Sequence, residues 1–147
     1  MEDWINIYNI LSAKYKISWA IIPASCKSGW SYYAPTDSCY YFNSLAMPQP
    51  VAQAYCKAQE GSLASILSYG ENQFILSKSG CGWLGLEKNI LTGSWEWIDG
   101  NPVNYTNWYL EGTYSNDCEL MYCIDGTWNS VSCLSASLSI CKYKLSL

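Results

Sequence analysis

Apolar positions recur at two different periods, and the change of period divides the chain. Over residues 48–60, Val51, Ala54, Tyr55 and Ala58 fall at helical spacing, with Cys56 beside the stripe. Pro48 and Pro50 suit a first helical turn, and Gly61 supplies a stop. Leu63, Ala64 and Ile66 form a short apolar link. Ser68-Tyr69-Gly70-Glu71 then has the spacing of a capping box, a hydroxyl at the cap and Glu three residues on. It opens a second helix through Phe74, Ile75 and Lys78 that ends near Gly80. After Gly80 the texture is that of strands and turns. Trp83-Leu84-Gly85-Leu86 is a short apolar strand, Trp95-Glu96-Trp97-Ile98 alternates, and Asp99-Gly100-Asn101-Pro102 turns the chain.

Two hairpins complete the pattern. Over residues 27–43, two aromatic runs flank Pro35-Thr36-Asp37-Ser38, where Pro presets φ and Asp can bond its own backbone. Over residues 116–133, two short alternating runs flank Asp125-Gly126, a strong signal for a tight turn. A polar loop, residues 109–116, leads into this second hairpin, and residues 138–143 read as a closing strand. Helices early and strands late predict an α+β domain. Residues 1–25 stand apart. Trp4, Ile7, Tyr8, Leu11 and Tyr15 have helical spacing, but the acidic Glu2-Asp3 start departs from a secretory leader, and no segment is long enough to span a membrane. The reading is an N-terminal extension or atypical leader over 1–25, followed by one domain over 26–147.

Composition narrows the function classes. At 147 residues the chain suits a single domain, and with 50% hydrophobic and 14% charged residues it is not disordered. Its 8 Trp and 13 Tyr suit strands and semi-exposed recognition surfaces, or a Trp-rich core. Net charge is -4, every cation is Lys, and no basic stripe is present, which argues against nucleic acid as a partner. The absence of His removes Ser-His and Cys-His nucleophile pairs and imidazole metal ligands. Carboxylate-only catalysis remains, with Glu111 and Asp117 as the nominated acids. The 8 cysteines contain no Cys-x-x-Cys and point to disulfides in an oxidising compartment.

Several stretches, in order, resemble the C-type lectin-like domain family. Trp83-Leu84-Gly85-Leu86 is similar to its Trp-Ile-Gly-Leu signature. Residues 95–100 and Tyr105-Thr106-Asn107-Trp108 are similar to its central stretch, and the second hairpin to its Trp-Asn-Asp strand and following cysteine. The resemblance covers residues 26–141. It implies a disulfide-stapled domain of two helices and antiparallel strands. It also implies the pairs Cys56–Cys141, Cys118–Cys133 and, as in longer members, Cys26–Cys39. Cys81 and Cys123 lie outside the common pattern; if their strands run antiparallel they form a fourth bridge, and otherwise they are free thiols.

Sugar-binding members of the family hold a calcium ion with carboxylates and amides of the long loop and the Trp-Asn-Asp strand. Calcium requires six to eight oxygens and anionic charge. Here Trp128 and Asn129 match, but Ser130 stands at the Asp position and Asn116 at the Glu position. The loop after Trp108 contains no proline to hold a cis peptide. Glu111, Asn116 and Asn129 would be the ligands if calcium bound, and the expectation is weak or absent binding, with no cofactor. The resemblance thus implies a secreted, non-enzymatic recognition module for a protein or glycan. Its ligand face would comprise Tyr109, Glu111, Tyr114, Asn116, Asp117, Asn129 and Ser130. A calcium-dependent lectin with a non-standard ligand set is the alternative, and an ice- or mineral-binding role is a further one. Asn104-Tyr105-Thr106 is an N-glycosylation sequon.

Overall fold

A computed structural model describes residues 24–78, 80–110 and 115–145. The helical stripe expected between Trp4 and Tyr15 lies outside the described residues, as do Glu111 and Tyr114. The elements are β1 (Ser31–Tyr33), β2 (Ser38–Met47), α1 (Gln49–Ala58), β3 (Ser62–Leu63), α2 (Tyr69–Ser77), β4 (Gly82–Lys88), β5 (Trp95–Trp97), β6 (Cys118–Met121), β7 (Trp128–Val131) and β8 (Ser137–Lys144). The sheet order is β1-β2-β8-β4-β6-β7, with β3 joined to β8 and β5 to β4. All pairs are antiparallel except β4 and β8, which meet in parallel at Trp83 and Ser139.

Both faces of the central strands are covered. Alternation along β4 sends Trp83 to one side and Leu84 and Leu86 to the other. Trp83 packs with Ala52 and Cys56 of α1, and with Leu63, Cys118 and Cys141. Leu84 and Leu86 pack with Ile75 of α2 and with Tyr40, Trp97, Met121, Trp128 and Ile140. Gly82, at φ 102, brings the start of β4 against the backbone of Leu138, where a side chain has no room.

Three local readings are corrected. Of the apolar stripe Val51, Ala54, Tyr55, Ala58, only Tyr55 packs against the core; Val51, Ala54 and Ala58 are exposed, and α1 buries Gln49, Ala52 and Cys56 instead. The Cys56–Cys141 disulfide (Cα–Cα 5.3 Å) sets the rotation of the helix, because it ties that side to β8. At α2, Ser68 Oγ accepts from the Glu71 N–H at 3.1 Å as expected of a cap, but the Glu71 carboxylate does not return to Ser68. It accepts from Leu67 N at 2.7 Å and reaches inward to Tyr40 and Lys142. The Asp125-Gly126 pair does not form a two-residue turn. Pairing of β6 with β7 ends at Met121 and Trp128, and the Cys81–Cys123 bridge draws the segment between them back to β4.

Four disulfides are present: Cys26–Cys39, Cys56–Cys141, Cys81–Cys123 and Cys118–Cys133, with no free cysteine among the described residues. The fourth pair follows from the register, since β4 and β6 run antiparallel with Gly82 opposite Met121, next to Cys81 and near Cys123. Between the helices and β8 lies a buried ion pair. Lys142 Nζ donates to Glu71 Oε1 at 2.6 Å and to the Ser65 carbonyl at 3.0 Å, and Tyr40 Oη donates to the same Glu71 oxygen.

Candidate functional site

The second hairpin and the long loop are held together by backbone and indole groups. Trp128 N donates to the Asn107 carbonyl and Tyr109 N to the Trp128 carbonyl, both at 2.8 Å, so residues 107–109 run along the start of β7. Inside, Trp128 Nε1 donates to Asn72 Oδ1 at 2.8 Å. The Gly126 carbonyl accepts from Asn72 Nδ2 at 3.0 Å and Asn107 Nδ2 at 2.8 Å. Gly126 makes this possible: its φ is 72, and a Cβ would lie 3.0 Å from the Asn72 amide and from Met121 Cε. Trp97, Tyr105 and Trp108 set their rings edge-on around Trp128 at 5.7, 5.6 and 6.1 Å. These aromatics anchor the loop from within.

On the outside the same hairpin presents an apolar patch. Tyr109 is 56% exposed, Leu110 57% and Ile124 94%. The Tyr109 and Tyr122 rings meet edge-on at 6.0 Å, and Asn129 Nδ2 donates to Tyr122 Oη at 2.7 Å. Tyr109, Tyr122, Ile124 and Asp125 line a shallow cavity of about 380 Å³. Asp125 is fixed at its edge, accepting from Thr127 N at 3.0 Å and Thr127 Oγ1 at 2.7 Å; these bonds, the backbone one first, lower its pKa.

The sequence-derived site residues are distributed differently. Tyr109 and Asn129 share this patch through Tyr122. Asn116 approaches β7 from the loop, its Nδ2 lying 3.4 Å from the Ser130 carbonyl and 3.3 Å from Ser115 Oγ. Ser130 is buried, and as the neighbour of Asn129 on a strand it points to the opposite face. Asp117 lies apart, lining with Glu87 and Glu96 a second cavity of about 530 Å³. Asn104 is exposed on the loop after β5. Tyr122, Leu110 and Ile124 were missed by sequence reasoning. The available signal was Ile124, an apolar residue in a turn where polar ones are expected.

Among the described residues, the candidate donors Asn116 and Asn129 are engaged with protein partners. Asn116 directs its amide nitrogen, a donor, at the Ser130 carbonyl. Among the described residues no group of three or more acidic or cysteine side chains converges to hold a metal ion. The carboxylate nearest to Ser130 in register is Glu119, directly across β6, and it is fully buried on the side of Met121 and Trp128. Neither of its oxygens has a hydrogen-bond partner. Burial holds its pKa well above the ordinary value, favouring the neutral acid over a ligand anion.

Comparison with known proteins agrees with the fold. The lectin C-type domain family model matches residues 46–143. C-type lectin domain family 17, member A, from Homo sapiens is 32% identical over 128 residues, 83% of this chain; the chain spans only 33% of that protein's length. A crystal structure of a calcium-independent type II antifreeze protein superposes with a TM-score of 0.74 at 31% identity, covering 82% of this chain and 95% of that one. The cow C-type carbohydrate-recognition domain of CD23, in the presence of GlcNAc2Man3 oligosaccharide, superposes at 0.77 with 27% identity, covering 84% of this chain and 99% of that one. With the signature strand, the loop clamped on Trp128 and the paired cysteines already in place, the match assigns the family: the chain belongs to the C-type lectin domain family.

Proposed function

We propose that this domain is a non-enzymatic recognition module that binds a protein or glycan without calcium. Its contact face is the patch of Tyr109, Tyr122 and Ile124 with Asn129 at its polar edge; Glu111 and Tyr114, outside the described residues, are assigned to it from the sequence alone. The observation that carries this reading is the exposed aromatic and aliphatic surface at the hairpin, beside the Asn116 amide, which donates to the Ser130 carbonyl, and the Asn129 amide, which donates to the Tyr122 hydroxyl. The likeness to both a carbohydrate-recognition domain and a calcium-independent protein is compatible with it. The domain spans 26–147, with 1–25 as an extension or atypical leader. Its four disulfides suit an extracellular location. No helix of the described residues is long and apolar enough to cross a membrane.

Calcium provides the first test. A site with a Kd near 10 μM would stabilise the domain by roughly 3–4 kcal/mol at about 5 mM calcium, through mass action. The expected melting temperature is instead the same in calcium and in chelator. On an array of glycans and proteins, binding is expected to persist in chelator and to fall about tenfold or more in Tyr109→Ala/Ile124→Ala. Micromolar calcium affinity, or binding abolished by chelator, would establish the calcium-dependent alternative.

Glycosylation gives a second prediction. Asn104 and Thr106 are both exposed on a loop whose backbone turns at Pro102, with Asn104 N donating to the Pro102 carbonyl at 3.2 Å. Expression through a eukaryotic secretory route is expected to give one glycan, seen as a mobility shift reversed by amidase digestion and absent in Thr106→Ala. An unshifted wild-type band would remove Asn104 from the list of modified sites.

A further inference from the structure

Of the six lysines among the described residues, four are grouped in one region, away from the hairpin patch. A cleft of about 490 Å³ opens between the end of α1, the turn after β5 and the outer end of β8. Its charged lining is Lys57, Lys142 and Lys144 with Glu60 and Asp99, and Asn101 and Leu67 lie beside them. Lys27 sits at its rim, bound to Glu60 at 2.5 Å. Lys78 and Lys88 lie elsewhere, and the whole chain carries a net charge of -4.

The charges of the cleft are not equivalent. Lys27 is neutralised by Glu60 and Lys142 by Glu71. The ammonium groups of Lys57 and Lys144 have no side-chain partner among the described residues. Asp99 is engaged in place, accepting from Ser65 Oγ and from Asn101 N at 3.0 Å. Asn101 spends its amide N–H on Ser65 Oγ at 3.1 Å, which leaves its carbonyl oxygen to accept. The cleft therefore offers two free cations, fixed acceptors for hydroxyl groups and one apolar contact at Leu67. Pockets of a few hundred Å³ suit small ligands, and a few convergent polar groups set their orientation.

We infer that this cleft is a second ligand site, specific for an anionic saccharide residue such as a uronate or a sulfated hexose. Lys57 and Lys144 take the acidic group, Asp99 and Asn101 accept from ring hydroxyls, and the sugar's C–H face lies on Leu67. The inference is independent of the hairpin face, because none of these residues belongs to it.

The test uses a sulfated uronate–glucosamine disaccharide as probe, with cellobiose and inorganic sulfate as controls. Binding is followed by amide chemical shifts in the wild-type domain, in Lys57→Gln/Lys144→Gln, and in Tyr109→Ala/Ile124→Ala. The disaccharide is expected to shift the amides of Gly61, Ser62 and Asn101. Its affinity should fall about tenfold in the lysine variant, consistent with two solvated charge contacts, and weaken as salt shortens the Debye length. The aromatic variant should bind as the wild type does. The proposal fails if those amides do not move, if the lysine variant binds unchanged, or if the shifts map to the hairpin. Sulfate binding as tightly as the disaccharide would overturn the saccharide assignment, and equal binding of cellobiose would overturn the anionic one.

Discussion

Replacing Lys142 by Met is expected to cost the domain about 3–5 kcal/mol, the range for breaking a buried ion pair from one side. Lys142 is only 8% exposed and Glu71 is fully buried. The lysine gives Glu71 Oε1 a hydrogen bond of 2.6 Å and gives two more to Ser65, to the carbonyl at 3.0 Å and the hydroxyl at 3.3 Å. Without it, the carboxylate keeps Tyr40 Oη and Leu67 N as donors but loses its counter-charge. Burial, then the charge of Glu71, raises the Tyr40 pKa, so the phenol remains a donor and cannot replace the cation. A loss of this size is a large part of the 5–15 kcal/mol typical of a folded domain. The double variant Lys142→Met/Glu71→Leu should recover most of it, because no unpaired charge then stays inside. Urea unfolding of the wild type, both single variants and the double variant measures the coupling. A single variant that loses less than about 1 kcal/mol, with additive effects in the pair, would refute this account.

How much of this could be read from the sequence depends on the range over which each signal acts. The α2 cap was legible because Ser68 and Glu71 lie within one turn. The Trp83-Leu84-Gly85-Leu86 strand was legible because its order among the other motifs matched a family. The burying side of α1 was not. Val51 and Ala54 have helical spacing, but Cys56 is anchored to a strand 85 residues away, and the long-range bond outweighs the local stripe. The same reason applies at Asp125-Gly126, where the Cys81–Cys123 bridge overrides a turn preference. In the candidate site, the exposure of Tyr109 was anticipated from its place in a polar loop. The contribution of Tyr122 was not, since it depends on Asn129 reaching across the hairpin. Glu119 was also illegible. In Cys118-Glu119-Leu120-Met121 a carboxylate sits among apolar neighbours, and no local signal marks its side of the strand as buried. β6 lies between β4 and β7 with packed side chains on both of its faces, so no outward side exists for it.

Glu119 leads to a pH dependence opposite to that of ordinary acid denaturation. Its carboxyl is fully buried, has no hydrogen-bond partner on either oxygen, and titrates well above the ordinary value of 4.5 because burial penalises the anion. The folded state therefore holds this proton more tightly than the unfolded chain does. Below about pH 4.5 both states are protonated and the group makes no pH-dependent contribution. As pH rises from there toward the folded-state pKa, the unfolded chain ionises first, and stability falls by up to about 1.4 kcal/mol per pH unit. Glu119→Gln keeps the shape and removes the titration. Glu119→Met also removes the unpartnered polar atoms and places an apolar chain beside Met121 and Trp128, so it should be the more stable variant at neutral pH. The stability difference between either variant and the wild type should widen steadily as pH is raised above 4.5. Denaturant unfolding at a series of pH values gives that difference directly. A constant offset across the series would mean that Glu119 ionises alike in the folded and unfolded chain, and the hairpin would then carry a solvated carboxylate after all.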